Sequence, residues 1–134
     1  MLEVFVDLLK FHAEQLSKAS ASGEKPKESV ADFGEVVMCA IAETLSASNS
    51  NCAVFRELGG AATVLNLVKL EESRTSALVL MQQLILSSGG EDDMTALLEL
   101  LHMCPQVNVS MKAEILRAII FCLKESHRSR AVFR

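Results

Sequence analysis

The sequence predicts an all-α protein built as an array of stacked helical repeats, a fragment of an α-solenoid, and three observations carry that prediction. The first is a segment that recurs. Leu45-Ser46-Ala47-Ser48 followed by Ala53-Val54-Phe55-Arg56 returns as Leu123-Lys124-Glu125-Ser126 followed by Ala131-Val132-Phe133-Arg134. The offset of about 78 residues, two units of about 39, also pairs Val37 with Ile115, Met38 with Leu116, Ala40 with Ala118 and Ile41 with Ile119. A period near 40 is typical of helical units that bury their apolar faces only by stacking. The second is apolar spacing of helical period throughout, with no alternation of period two long enough for a strand. The third is punctuation by Gly, Asn, Ser and Pro at helix-length intervals.

Taken in order, seven to eight helices are predicted. Leu2, Phe5, Leu9, His12 and Leu16 form one helical face, widened by Val6, Leu8 and Phe11 until most of the circumference is apolar. Residues 19–29, polar and broken by Pro26, are predicted as a mobile loop. Asp32 with Glu35 reads as a capping box opening a helix from Phe33 to about Ser46. Asn49 to Asn51 breaks it, a short helix Cys52–Leu58 follows, and Gly59-Gly60 turns the chain into Ala61–Leu70. Ser73 caps the next helix, Thr75 to about Leu86, with Ala77, Met81, Leu84 and Ile85 inward. Asp92 or Asp93 starts another, reaching about Met103 before Pro105. The last two are Ser110–Lys124 and one beginning at Arg128. The whole, 1–134, reads as one helical region whose last repeat is cut short at Arg134.

Composition narrows the function classes. Half of the 134 residues are hydrophobic, but there is no Trp or Tyr, and the net charge is −4. That combination argues against nucleic acid, which calls for cationic and base-stacking surfaces. No apolar run approaches the roughly 18 residues of a membrane span, and Glu3 and Asp7 near the start are unlike a signal peptide. The reading is a soluble intracellular chain. Cys39, Cys52, Cys104 and Cys122 show no metal-binding spacing, and they are expected to be buried reduced thiols, Cys39 and Cys122 within apolar helices. No cofactor or metal is predicted.

Asn51-Cys52-Ala53-Val54-Phe55-Arg56-Glu57-Leu58-Gly59-Gly60-Ala61-Ala62-Thr63-Val64-Leu65-Asn66-Leu67-Val68 resembles the heart of an armadillo repeat: a short first helix, a glycine pair, a second helix, then a longer third. The unit after it departs from that pattern, because Gly90-Glu91-Asp92 leads straight into a second helix. In such arrays the third helices line a concave surface. Superposing those that begin near Phe33, Thr75 and Met111 puts Cys39, Val79 and Arg117 at one outward position and Glu43, Gln83 and Phe121 at another. Glu43, Gln83, Arg117 and Phe121 are therefore candidate partner-binding residues.

From Asn51 to Arg134, Phe55-Arg56-Glu57, Leu84-Ile85-Leu86-Ser87, Gly90-Glu91-Asp92-Asp93-Met94, Glu114-Ile115-Leu116-Arg117-Ala118 and Glu125-Ser126-His127-Arg128-Ser129-Arg130 resemble the N-terminal helical region of large BEACH-family proteins with WD repeats and a FYVE domain. The resemblance implies a non-enzymatic scaffold in endosomal or autophagic membrane traffic. It would be cytoplasmic and peripheral to endosomal, autophagic or ER membranes, with none of the lipid-binding FYVE positions in this chain. The alternative is an independent armadillo-like module that regulates a small GTPase or a cytoskeletal protein.

Other clusters have ordinary explanations beside the functional ones. His127, Arg128 and Arg130 could hold an acidic partner or lipid headgroup, or they are cations at a helix end. Glu91-Asp92-Asp93 reads as helix N-terminal charge, having too few spaced oxygens for calcium. His12 and His102 read as satisfied packing residues, and Leu97-Leu98-Glu99-Leu100-Leu101 as core rather than a recognition motif. No nucleophile–base pattern is present, so enzymatic activity is not expected. Ile120 and Phe121 stand where earlier units carry Ala42-Glu43 and Gln82-Gln83. With Val132-Phe133 they are expected to leave an apolar end that favours self-association.

Overall fold

The computed structural model describes residues 2–23, 28–87, 90–104 and 108–132, with side chains described as far as Glu125 except that of Ala31. Among the described residues there are seven helices and no strand: α1 (Leu2–Ala21), α2 (Glu28–Ala47), α3 (Asn49–Glu57), α4 (Gly60–Val68), α5 (Arg74–Leu86), α6 (Glu91–Met103) and α7 (Val109–Val132). They pack as two parallel rows. One row is α1, α4 and α6; the other is α2, α5 and α7. The rungs between rows are α1 on α2, α4 on α5 and α6 on α7, and α3 wedges against α1, α2 and α4. This is the ladder of an all-α helical-repeat fold, with α3–α4–α5 as the one complete triplet among the described residues. The α6–α7 unit enters its second helix directly, as its sequence predicts.

Each third helix has its own buried side: Val37 and Ile41 on α2, Ala77 and Met81 on α5, Ile115 and Ile119 on α7. These positions face the other row. The small Ala77 is fully buried where α5 packs on its neighbours. Leu97 of α6 is likewise buried and Leu100 and Leu101 pack half-buried against the core, whereas Leu98, expected in the core with them, is exposed on the outer side of the helix.

Most departures from the sequence reading lie at helix ends. α1 continues through Ala21, since nothing before Gly23, at a left-handed φ of 75°, disfavours helix. α2 already begins at Glu28, so Asp32 and Glu35 are interior and exposed rather than a capping box. Of the predicted loop 19–29, residues 19–21 and 28–29 are thus helical and 22–23 form a turn, while 24–27 lie outside the described residues. The break at 49–51 is one residue, Ser48, whose extended backbone (φ −162°, ψ 139°) lets its Oγ accept from the Ser50 amide at 3.2 Å. Asn51 stays helical and sends its side-chain amide back to the Thr44 carbonyl at 2.8 Å, closing the end of α2. Ser73 stands at the N-cap of α5, yet its hydroxyl donates to Leu67 O of α4 at 2.7 Å instead of capping its own helix.

Gly59 makes the α3–α4 turn at φ 80°, a conformation strained for any residue with a Cβ. The following Gly60 lies against the Phe55 ring, leaving no room for a side chain. Phe11, predicted to widen the buried face of α1, is exposed, as is Val4. They lie on the side of α1 turned away from Val6, Leu9, His12 and Leu16.

The largest correction concerns the second copy of the repeated segment. Ser126 stands where Ser48 stands in the first, but α7 runs on through Val132 as one helix, with no new helix at Arg128. Lys124-Glu125-Ser126-His127-Arg128 contains no Gly or Pro, so local propensity favours continuation. In the first copy the break at Ser48 is offset by burying Cys52 and Phe55 against α1, α2 and α4. Residues 133–134 lie outside the described residues.

Candidate functional site

The third-helix row builds one shared groove. Ala42, Glu43 and Ser46 of α2, Val79, Gln82, Gln83 and Leu86 of α5, and Phe121 of α7 line an open cavity of ≈ 440 Å³. Its walls follow from the ladder. Positions facing the other row are buried, positions facing adjacent third helices form the stack, and the remaining side of each helix faces this groove. Glu43, Gln83 and Phe121, separated by 40 and 38 residues in sequence, are brought together here. Arg117 is exposed one helical turn before Phe121 but is not among the lining residues. The side chains of His127, Arg128 and Arg130 lie outside the described residues.

The groove is apolar at Val79, Leu86 and Phe121, polar at Ser46, Gln82 and Gln83, and acidic at Glu43. The Gln83 side-chain oxygen is buried and has no hydrogen-bond partner. Buried acceptors are ordinarily satisfied, because an unmade bond there costs about 1–3 kcal/mol.

An ion-pair cluster fixes the end of the α5 wall. Arg56 of α3 meets the buried Asp93 of α6 at 2.7 Å through Nε. Its Nη2 donates to the Leu84 carbonyl at 2.8 Å and to Ser87 Oγ at 2.7 Å. One guanidinium therefore ties the end of α3 to the carbonyl end of α5 and the first turn of α6. The sequence reading gave Asp93 only a helix-terminal role. Its partner lies 37 residues away, and only the reappearance of Arg56 in the repeated Ala-Val-Phe-Arg hints that the arginine matters. Arg74 does similar work lower in the ladder. Its Nε donates to Val68 O at 2.9 Å, and its Nη1 reaches Glu114 of α7 at 3.4 Å.

The histidines, and Cys39 among the cysteines, differ from expectation. His12 is buried beside Gly34, whose lack of a Cβ admits the ring, and edge-on to Phe33 with centroids 6.3 Å apart. Its Nδ1 has no partner, so it is not the satisfied residue predicted, and desolvation pushes its pKa below the ordinary value. His102 is exposed, because it lies with Leu98 and Met103 on the outer side of α6. Cys39 is exposed, whereas Cys52, Cys104 and Cys122 are buried. Burial pushes the Cys122 thiol up to about 11, leaving it protonated and unreactive at neutral pH.

A second depression, ≈ 790 Å³, lies on the opposite row between α1 and α4. Lys10, Glu14 and Lys18 succeed one another along its α1 wall, a solvated arrangement of alternating charge. Among the described residues no three His, Cys, Asp or Glu side chains are placed to hold a metal ion, and no helix is long and apolar enough to cross a membrane. The chain matches no protein-family model and no solved structure.

Proposed function

We propose that this chain is a non-enzymatic scaffold segment that holds a protein partner along the groove of its third-helix row. The observation that supports this most is the groove itself, which leaves the apolar Val79, Leu86 and Phe121 exposed beside Ser46, Gln82 and Gln83. A partner segment of apolar side chains would cover Val79, Leu86 and Phe121, and the exposed Glu43 beside them favours a cation in that segment. The resemblance of Asn51–Arg134 to the helical region of BEACH-family proteins gives the proposal its setting in endosomal or autophagic membrane traffic.

The test places a photo-crosslinking residue at Ser46, on the groove wall, and identifies captured proteins in cells. The expected result is a discrete partner whose capture falls at least tenfold in Phe121→Ala and in Glu43→Arg. Capture unchanged in both variants would sink the groove, and captured proteins unrelated to membrane traffic would sink the setting. A small GTPase or cytoskeletal protein would favour the independent regulatory module instead.

A further inference from the structure

The third helices are equivalent position by position, and that equivalence exposes a pattern at the two sides of the stack. Offsets of 40 and 38 residues align Met38 with Leu78 and Leu116, and Leu45 with Ile85 and Leu123. Met38 and Leu78 are 3% and 5% exposed, because another third helix stacks beyond each. Leu116 is 46% exposed and Leu123 58%. With Ile120, at 49%, they form one stripe along α7. This is the side by which α2 receives α5, and α5 receives α7.

The opposite side shows the converse. The same offsets align Phe33 with Ser73 and Met111, and Ala40 with Leu80 and Ala118. At the N-cap of α5 and along α5 and α7 these four are buried, and each of those helices packs on a preceding third helix. On α2, Phe33 and Val36 are exposed, Val36 to 69%, and Ala40 is half-buried. The other row repeats the arrangement, with Val4 and Phe11 exposed on α1 and Leu98 and Met103 on α6.

We propose that copies of this chain stack head to tail, the Leu116–Ile120–Leu123 stripe of one copy covered by the Phe33–Val36–Ala40 stripe of the next. The occupant is a second copy because the surface each stripe requires is the surface the other presents. The contact continues the α2-to-α5 and α5-to-α7 interfaces already made within the chain. Such a contact is heterologous, joining two different faces, and it extends as an open series rather than closing as a two-fold dimer. It uses neither Glu43 nor Gln83, so the third-helix groove would run on from copy to copy.

The experiment is sedimentation equilibrium of the full chain from micromolar to millimolar concentration, alone and with Leu116→Glu and Val36→Glu, both exposed positions whose fold circular dichroism verifies. The wild type is expected to rise in average mass with concentration without a plateau at the dimer. Each variant alone is expected to remain monomeric. Their equimolar mixture, which restores one intact pair of faces, is expected to reach twice the monomer mass and stop there. A wild type that stays monomeric throughout would overturn the proposal, as would a mixture that stays monomeric. Association of Val36→Glu as strong as wild type would overturn it too, by showing that α7 pairs with itself.

Discussion

α5 and α7 are equivalent helices in one ladder with different surroundings. α5 is stacked on both sides, by α2 and α7, while α7 has α5 on one side and an open apolar stripe on the other. Their inner faces hardly differ: Ala77 and Met81 are as buried as Ile115. Leu78 and Leu116, by contrast, share a position and a residue type but not an environment. In a repeat array a side chain's contribution depends on its place in the stack as much as on its identity.

The largest expected effect breaks the covered region. Phe55, fully buried beneath Gly60, should cost about 3–5 kcal/mol as Phe55→Ala, whereas Leu116→Ala on the open stripe should cost under about 1 kcal/mol in dilute solution. Urea denaturation of the two variants measures the contrast. Similar losses would mean that α7 is covered in the monomer.

Next comes the clamp. Arg56→Met removes the partner of a carboxylate that is 8% exposed and should cost about 2–4 kcal/mol, also loosening the α5 carbonyl end that supports Leu86. Asp93→Asn in the same background should recover part of that loss, because no unpaired charge then remains buried. A double-mutant cycle reports the coupling, and simple additivity would rule the clamp out.

A smaller effect separates the α1 side from the rest. Burial lowers the pKa of His12 in the fold relative to 6.5, so below that pH the unfolded chain binds a proton that the folded chain refuses. Stability should therefore hold above about pH 6.5 and fall below it, by at most about 1.4 kcal/mol per pH unit, until folded His12 itself titrates. Thermal unfolding of the wild type and His12→Phe between pH 7.5 and 5 isolates the term. A slope unchanged by the substitution would remove His12 from the account.

What the sequence made legible follows from periodicity. The helical period marks the inner faces, and the repeat of about 39 residues aligns α2, α5 and α7 well enough to draw Glu43, Gln83 and Phe121 onto one surface. Helix ends were less legible, because ends depend on what the next segment can bury. Ser48 and Ser126 occupy equivalent places, yet only Ser48 breaks its helix, where Cys52 and Phe55 have neighbours to pack on. Asp32 looked like a cap because capping residues also occur inside helices that begin earlier. The Arg56–Asp93 pair and the unpaired Gln83 oxygen were invisible for another reason. Each is a property of three helices meeting, and no spacing along one helix encodes it.

The central claim, that α5 is enclosed on both sides and α7 on one, is tested most directly by native-state hydrogen exchange at low micromolar concentration. Amides of Leu78–Leu84 should exchange only through global unfolding, while those of Leu116–Leu123 should exchange through a lower-energy opening. Equal protection of the two segments, both at the global limit, would contradict the account.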